Sequence, residues 1–407
     1  MSKRRVWITL LVMVLLGAFV VLARWYGPRR LSPALSPQSL TLSVVSGADR
    51  GPGTLREALF TADAAGSAAS IQIRVADITL QSALPPIVNP HGIRIAAADN
   101  LSSSGVRIDA HAVSATTPVF DVDAERTVLA DLVIQGCPGT AILVRAARFS
   151  LTGTTISACD VGVEIATSGG RIALERNHLQ RDRIGVRFTA PSPDSELVKN
   201  QFDANDSGLW MVASQAGASA AASGTLGVHD NQFVSDNTDV VVGNLPVLIE
   251  QNEFDSVREA AIHIVGSEAV VRRNRISTGN AGGIIVENAA GAIIEANEFD
   301  HLQGYALLLR GSADTLVRNN RIQSCGYGMG FVLGDAHRPD TAVDNTLIDL
   351  KYNGIDIIGD SPILRGNHVL QARGTPLHVV DFSPPNGPTV RSQPLLEKND
   401  LQAGAAK

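Results

Sequence analysis

The sequence predicts an all-β solenoid, a single tube of about 12–14 stacked coils. Two observations carry that expectation: a short asparagine motif recurs at a near-constant period, and apolar segments between its copies alternate with period two. The motif is an aliphatic residue, two positions, Asn, one position, then Phe, Ile, Leu or Val. It stands as LERNHL, LVKNQF, VHDNQF, IEQNEF, VRRNRI, IEANEF, VRNNRI, AVDNTL, LRGNHV and LEKNDL. Its asparagines are Asn177, Asn200, Asn231, Asn252, Asn274, Asn297, Asn320, Asn345, Asn367 and Asn399, spaced by 23, 31, 21, 22, 23, 23, 25, 22 and 32. Thr154 in LTGTTI and Leu132 in LADLVI extend the register upstream by 23 and 22 residues.

A period near 22 is too short for tetratricopeptide or ankyrin units, and the LxxLxLxxN frame of leucine-rich repeats is absent. Each coil instead holds a strand at the Asn motif and a second apolar segment: GVEI, GVRF, GLWM, AIHI, GIIV, ALLL, GIDI. Alternation turns Ile262 and Ile264 inward and His263 outward. Hydrophobic residues make up 44% of the chain, aromatics only 4%, and Gly numbers 37. That composition suits thin stacked strands better than a bulky globular interior. The asparagines fall at turns between strands, where Asn tolerates left-handed backbone and its amide can bond the copies above and below. Their expected role is structural.

Lys3, Arg4 and Arg5 precede an uncharged apolar run from Val6 to Leu22. Followed by Trp25 and Tyr26, this run reads as a transmembrane signal-anchor helix over residues 1–26, with a cleaved signal peptide as the other reading. Residues 27–41, rich in Pro and Ser, read as a linker. The expected location is the inner (plasma) membrane, single-pass, with the body on the periplasmic side, or secreted if the signal is cleaved. The net charge is −6 and no basic run follows the N-terminus, which argues against a nucleic-acid partner.

The NxF and NxI coils resemble the right-handed parallel β-helix superfamily of pectate-lyase-like and NosD-like proteins, often grouped as carbohydrate-binding proteins and sugar hydrolases. SGADRGPGTLREALFTADAAGS resembles the segment that forms an N-terminal amphipathic helical cap in many of them, here with Leu55, Ala58 and Leu59 on its covering face. IQIRVADITLQSALPPI then matches a first coil and GIRIAAADNLSSSGVRIDAHAV a second. The resemblance spans residues 42–401, leaving 402–407 as a tail. At the far end VVDFSPPNGPTV, or a partner, is the expected cover. The superfamily hosts lyases, hydrolases, epimerases and non-enzymes, so the resemblance is specific for fold and not for activity. No cofactor is evident in the sequence, and the resemblance alone allows Ca²⁺.

In this register outward residues form stripes. Glu250, Arg272, Glu295 and Arg318 stand two before their asparagines; Glu253, Arg275, Glu298 and Arg321 stand one after. Acid alternates with base rung by rung, as expected of a self-neutralising ladder. The second segment gives the stripe Glu164, Arg187, Trp210, Val241, His263, Ile285, Leu308, Asp356 and His378, whose apolar middle calls for a cover: the insertion Ser214–Gly227 or a partner subunit. Cys137 and Cys159 each lie five past their anchors, so they stack at ~5 Å, which permits a disulfide; two stacked thiols are the other reading. Cys325 shares the offset many coils away. No zinc or copper spacing occurs.

Polar residues concentrate in the C-terminal coils. His337, Arg338, Asp340, Asp356 and Asp360 are the candidate catalytic residues. The β-helix lyases and epimerases that the chain resembles abstract a proton beside a uronate carboxylate with a basic residue and a cation. Hydrolases of the fold use paired carboxylates. Ordinary turn chemistry accounts for the same residues and is the favoured reading of them. Tyr305, Tyr327 and Tyr352 sit at nearly equal offsets from their asparagines and, with Lys351, are candidate substrate-binding residues on a sugar platform. The expected function is an envelope protein that binds or modifies polysaccharide, lyase-, epimerase- or hydrolase-like. The alternative is a non-enzymatic, NosD-like scaffold or maturation factor holding an envelope protein partner on the apolar stripe.

Overall fold

The computed structural model describes residues 39–101, 103–212, 224–385 and 387–403. The signal-anchor segment and nearly all of the linker lie outside these residues. Among the described residues no helix is long and apolar enough to cross a membrane.

Three parallel sheets of 15, 14 and 12 strands run the length of a solenoid. A representative coil gives Ile293–Glu295 to sheet one, Glu298–Leu302 to sheet two and Tyr305–Arg310 to sheet three. Each strand pairs in register with its counterparts one coil away. The stretches read as the first two coils do stack: Ala69–Ile73 pairs with Ile93–Ala97, and Asp77–Thr79 with Val106–Asp109. One strand comes earlier than the linker boundary at 41 allowed. Leu40–Val44 pairs with Ala69–Ile73, because Leu40, Leu42 and Val44 alternate toward the core. Helix α1, Leu55–Asp63, lies between these two strands and buries Leu55, Ala58, Leu59 and Ala62. It starts with a reciprocal cap: Glu57 N–H donates to Thr54 Oγ1 at 3.3 Å and Gly53 N–H to the Glu57 carboxylate at 2.6 Å.

The asparagines line the corner between sheets one and two as one unbroken column. Each Oδ1 accepts both the backbone N–H and the side-chain Nδ2 of the asparagine before it. For Asn274 onto Asn297 both distances are 3.0 Å. Each Nδ2 also donates to a sheet-one carbonyl, as Asn297 does to Val271 O at 3.0 Å. The pattern runs from Asn177 to Asn399. One expectation is corrected. The left-handed residue at this corner is not the asparagine but the residue before it, such as Arg176, Lys199, Arg273 and Ala296, each with φ 55°. The amide must point into the tube to reach its neighbours, so the chain reversal falls on a residue whose side chain is free to point out.

Inside, Phe202, Phe233 and Phe254 stack ring on ring at 4.6 and 4.8 Å. The corner between sheets two and three holds a second interior column. Cys137 and Cys159 are joined there by a disulfide, with Cα atoms 4.4 Å apart. Asp182, Asn205 and Asp236 continue the column. Cys159 N–H donates to Asp182 Oδ1 at 2.8 Å, Asp182 N–H to Asn205 Oδ1 at 2.9 Å, and Asn205 N–H to Asp236 Oδ1 at 2.6 Å. Beside them Asp239 occupies a sheet-three row whose neighbours are Gly208 and Ala261. Asp182 Oδ2, Asp236 Oδ2 and both Asp239 oxygens have no hydrogen-bond partner. Burial pushes Asp182 up to about 8, Asp236 to about 7 and Asp239 well above the carboxylate range.

On the outside, the sheet-one charge ladder closes: Arg272–Glu250 is 2.9 Å and Arg318–Glu295 3.0 Å. Its sheet-two counterpart is in register, Glu253 with Arg275 and Glu298 with Arg321, yet no ion pair forms there among the described residues. At the far end the described residues of the segment expected to cover the core leave its last strands partly exposed. Phe382 and Val390 pair with each other beside Gly359, while Val379 and Leu396 stay 41% and 46% exposed.

Candidate functional site

The candidate site lies on sheet three. Its outward row runs Glu164, Arg187, Trp210, Val241, His263, Ile285, Leu308, Gly330, Asp356, His378, each residue register-paired with the next. The row is the stripe read from the sequence, with Gly330 added between Leu308 and Asp356. Arg187 pairs with Glu164 at 2.6 Å and His263 with Glu287 at 3.2 Å. The insertion offered as a cover for its apolar middle has residues 213–223 outside the described residues.

Tyr305 and Tyr327 open their strands, Tyr352 lies three residues before the strand Ile355–Ile358, and the three rings stack. Tyr305 and Tyr327 lie 4.5 Å apart at 21°, Tyr327 and Tyr352 4.7 Å apart at 26°. Lys351 Nζ sits 5.2 Å from the Tyr352 centroid. Ring-on-ring contact uses both faces of Tyr327, so what this stack offers a ligand is its outer edge and the half-exposed Tyr352.

Tyr305 does more than stack. A Cβ placed on Gly330 would meet Tyr305 Cε1 at 3.0 Å, so the ring lies across the glycine in the next coil. It thereby reaches the coil beyond, where its hydroxyl donates to Asp356 Oδ2 at 2.7 Å. Asp356 Oδ1 accepts from Asn353 Nδ2 at 2.8 Å and contacts His378 Nδ1 at 2.9 Å. Three donors from three coils therefore grip one carboxylate that is 3% exposed. Burial, then the Asp356 carboxylate, pushes the Tyr305 phenol well above its ordinary range, which keeps it a donor. With Nδ1 on Asp356, the His378 ring is fixed in place while 44% of its side chain stays exposed.

The five candidate catalytic residues do not come together. Asp340 is buried at the corner between sheets three and one, where Oδ1 accepts from Thr315 N–H at 2.9 Å and Oδ2 accepts from the Ser312 hydroxyl. Asp360 accepts from Gly334 N–H at 3.0 Å and Ser361 N–H at 2.6 Å. Both bond to turn backbone rather than facing solvent, and burial raises both carboxyls. Arg338 pairs with Asp314 at 2.6 Å, and His337 lies in the exposed loop with its N–H on Asp335. No hydrogen bond or ion pair joins His337 or Arg338 to Asp356 among the described residues. Asp356 alone of the five faces outward beside the tyrosines. Gly330, Asn353 and His378 were not among the candidate site residues, although the adjacency of Asp356 and His378 in the stripe was a signal for the last.

The calcium that the resemblance allows finds no fit. Among the described residues no group of three or more His, Cys, Asp or Glu side chains is placed to hold a metal ion. Both Asp356 oxygens are already engaged.

Residues 216–369 match the family described as the right handed beta helix region. The catalytic unit of a GH87 α-1,3-glucanase from Streptomyces thermodiastaticus strain HF3-3 has a TM-score of 0.50 at 14% identity, over 90% of this chain and 70% of that one. A GH87 α-1,3-glucanase catalytic domain in complex with tetrasaccharides has a TM-score of 0.51 at 11% identity, over 90% and 70%. Tailspike protein 3 of bacteriophage CBA120 has a TM-score of 0.51 at 13% identity, over 92% and 65%. At such identities the likeness is one of fold. A search of curated protein sequences finds no match.

Proposed function

We propose that this member of the right-handed parallel β-helix superfamily binds or modifies polysaccharide on the outward face of sheet three, as a membrane-anchored protein outside the cytoplasm. The observation that carries this is the threefold grip on Asp356. The buried Asp356 carboxylate fixes Tyr305, Asn353 and His378, and the exposed His378 ring, beside an aromatic edge and an apolar row, supplies the fixed polar group and the apolar wall that a hydroxyl-rich ligand needs. If the site is catalytic, His378 Nε2 is the group placed to take or give a proton, with Asp356 orienting the ring. The disulfide Cys137–Cys159 supports an oxidising compartment, and the run Val6–Leu22 supports the anchor. Helix α1 is read as the closure of the N-terminal end, since its apolar face covers the first strands.

Isothermal titration of the purified chain against a polysaccharide panel, with reducing-end and unsaturated-product assays, tests this. Asp356→Asn and His378→Ala are expected to weaken binding or turnover at least tenfold, with His337→Ala silent. Equal loss from His337→Ala would move the site to the loop.

A second reading has its own observation: Trp210 and Val265 on the sheet-three face are each 37% exposed, as a protein-docking surface requires. Leu308→Asp would then abolish co-purification of an envelope partner and leave polysaccharide binding unaffected. The opposite pattern favours the glycan.

A further inference from the structure

Resting on the polysaccharide reading above, we infer that the ligand is a neutral polysaccharide whose chain lies along the solenoid axis from Asp356 to Trp210. The charge inventory of the face carries this. Two outward rows form it, the Trp210–His378 row and the row two residues on, which runs Val212, Gly243, Val265, Glu287, Arg310, Val332, Ile358, Val380. Arg310 is the one arginine or lysine in those two rows, and it is compensated by Glu287 at 3.6 Å. Glu287 in turn holds His263 at 3.2 Å.

A polyuronate carries one carboxylate on every sugar and needs uncompensated cations spaced along its path. This face offers it a spent arginine and the carboxylate of Asp356. The cations beyond the two ends are held as well: Arg187, one rung past Trp210, pairs with Glu164 at 2.6 Å, and Lys351 sits against the Tyr352 ring at the edge of the stack. A polycation fares no better, because Glu287 is paired and both Asp356 oxygens are engaged. The face does offer apolar side chains for the C–H surfaces of sugar rings, with fixed polar groups at one end for hydroxyls. Trp210 lies six rungs from Asp356, roughly 29 Å at ~4.8 Å per rung. Its partly exposed indole is placed to stack on a sugar several residues away from one at the exposed His378 ring that Asp356 fixes.

The test is titration of the full chain with neutral glucans, mannans and galactans on one side and polygalacturonate and alginate on the other, at low and high NaCl. At least one neutral polymer should bind, with affinity unchanged by salt. Trp210→Ala, checked for folding by circular dichroism, should weaken that binding roughly tenfold. Binding of the polyuronates alone, weakened by salt, would overturn this inference and leave the polysaccharide reading standing. If no polymer of either kind binds, the polysaccharide reading itself falls. A neutral polymer whose affinity is indifferent to Trp210→Ala would remove the proposed axial path.

Discussion

Replacing Asn297 with Ala is expected to destabilise the solenoid by on the order of 4 kcal/mol and to strip hydrogen-exchange protection from the coils on either side. Three groups lose a partner at once, although Asn274 Nδ2 keeps its second bond to Ile249 O. Asn274 N–H and Nδ2 lose the Oδ1 they share, and Val271 O loses the Nδ2 that capped it. All lie in a dry corner, and each buried polar group left unpaired costs about 1–3 kcal/mol. Neighbouring coils contact mainly each other, so the damage should be local rather than spread over the chain. Asn399→Ala is the internal control. Asn399 accepts from Asn367 and donates to Leu364 O, but it ends the column and is only partly buried, so water can replace its bonds. Chemical denaturation and exchange on both variants would decide the matter. Equal losses at Asn297 and Asn399 would mean that the asparagines act as separate turn residues and not as a coupled column.

That column was legible because the period puts residues about 22 apart directly over one another. Its stacking needs only the register, as do the pairing of Cys137 with Cys159 and the ring stack of Tyr305, Tyr327 and Tyr352. The backbone detail was not legible. Turn propensity points to asparagine for the left-handed position, and only the folded chain reveals that its amide is needed inside. The Asp356 grip was hidden for another reason. Tyr305 skips a coil to reach its partner, across a glycine whose absent side chain makes the path, and no single-period comparison aligns the two. Asp182 and Asp236 were within reach, since they share the five-residue offset of the cysteines. Asp239 was too, as the one acid in a row of Gly and Ala. The two column aspartates sit beside turns and Asp239 in a strand, and composition alone gives no hint that all three point inward.

Those three aspartates make the solenoid sensitive to alkali. Each has a folded-state pKa above its unfolded value near 3.8, so the folded state holds the extra protons. Their contribution is full below pH 3.8 and is lost as pH rises through about 7 and 8, the values for Asp236 and Asp182. Each tenfold gain in proton affinity on folding is worth about 1.4 kcal/mol, so deprotonating the cluster costs the folded state several kcal/mol by about pH 8. Nearby charges do not rescue it. Arg181 and Arg258 act weakly from outside, while Asp203 and Asp255 oppose ionisation. Asp109 and Asp160, held low mainly by hydrogen bonds from His111 and Arg183, act with the opposite sign but only as pH falls below about 4. His178, lowered by burial, gains stability as pH rises in this range, but His229, Asp340 and Asp360, all raised, act with the cluster, so the melting temperature should fall from about pH 5 to about pH 8. Asp239→Ala matches Ala261 in the same row and removes two unpartnered oxygens. It should raise stability at about pH 8 by on the order of 2–3 kcal/mol and change it much less at about pH 5. A variant no more stable than the parent under the alkaline condition, or a melting curve flat across that window, would mean that the carboxylates ionise freely and that the interior of these coils is not dry.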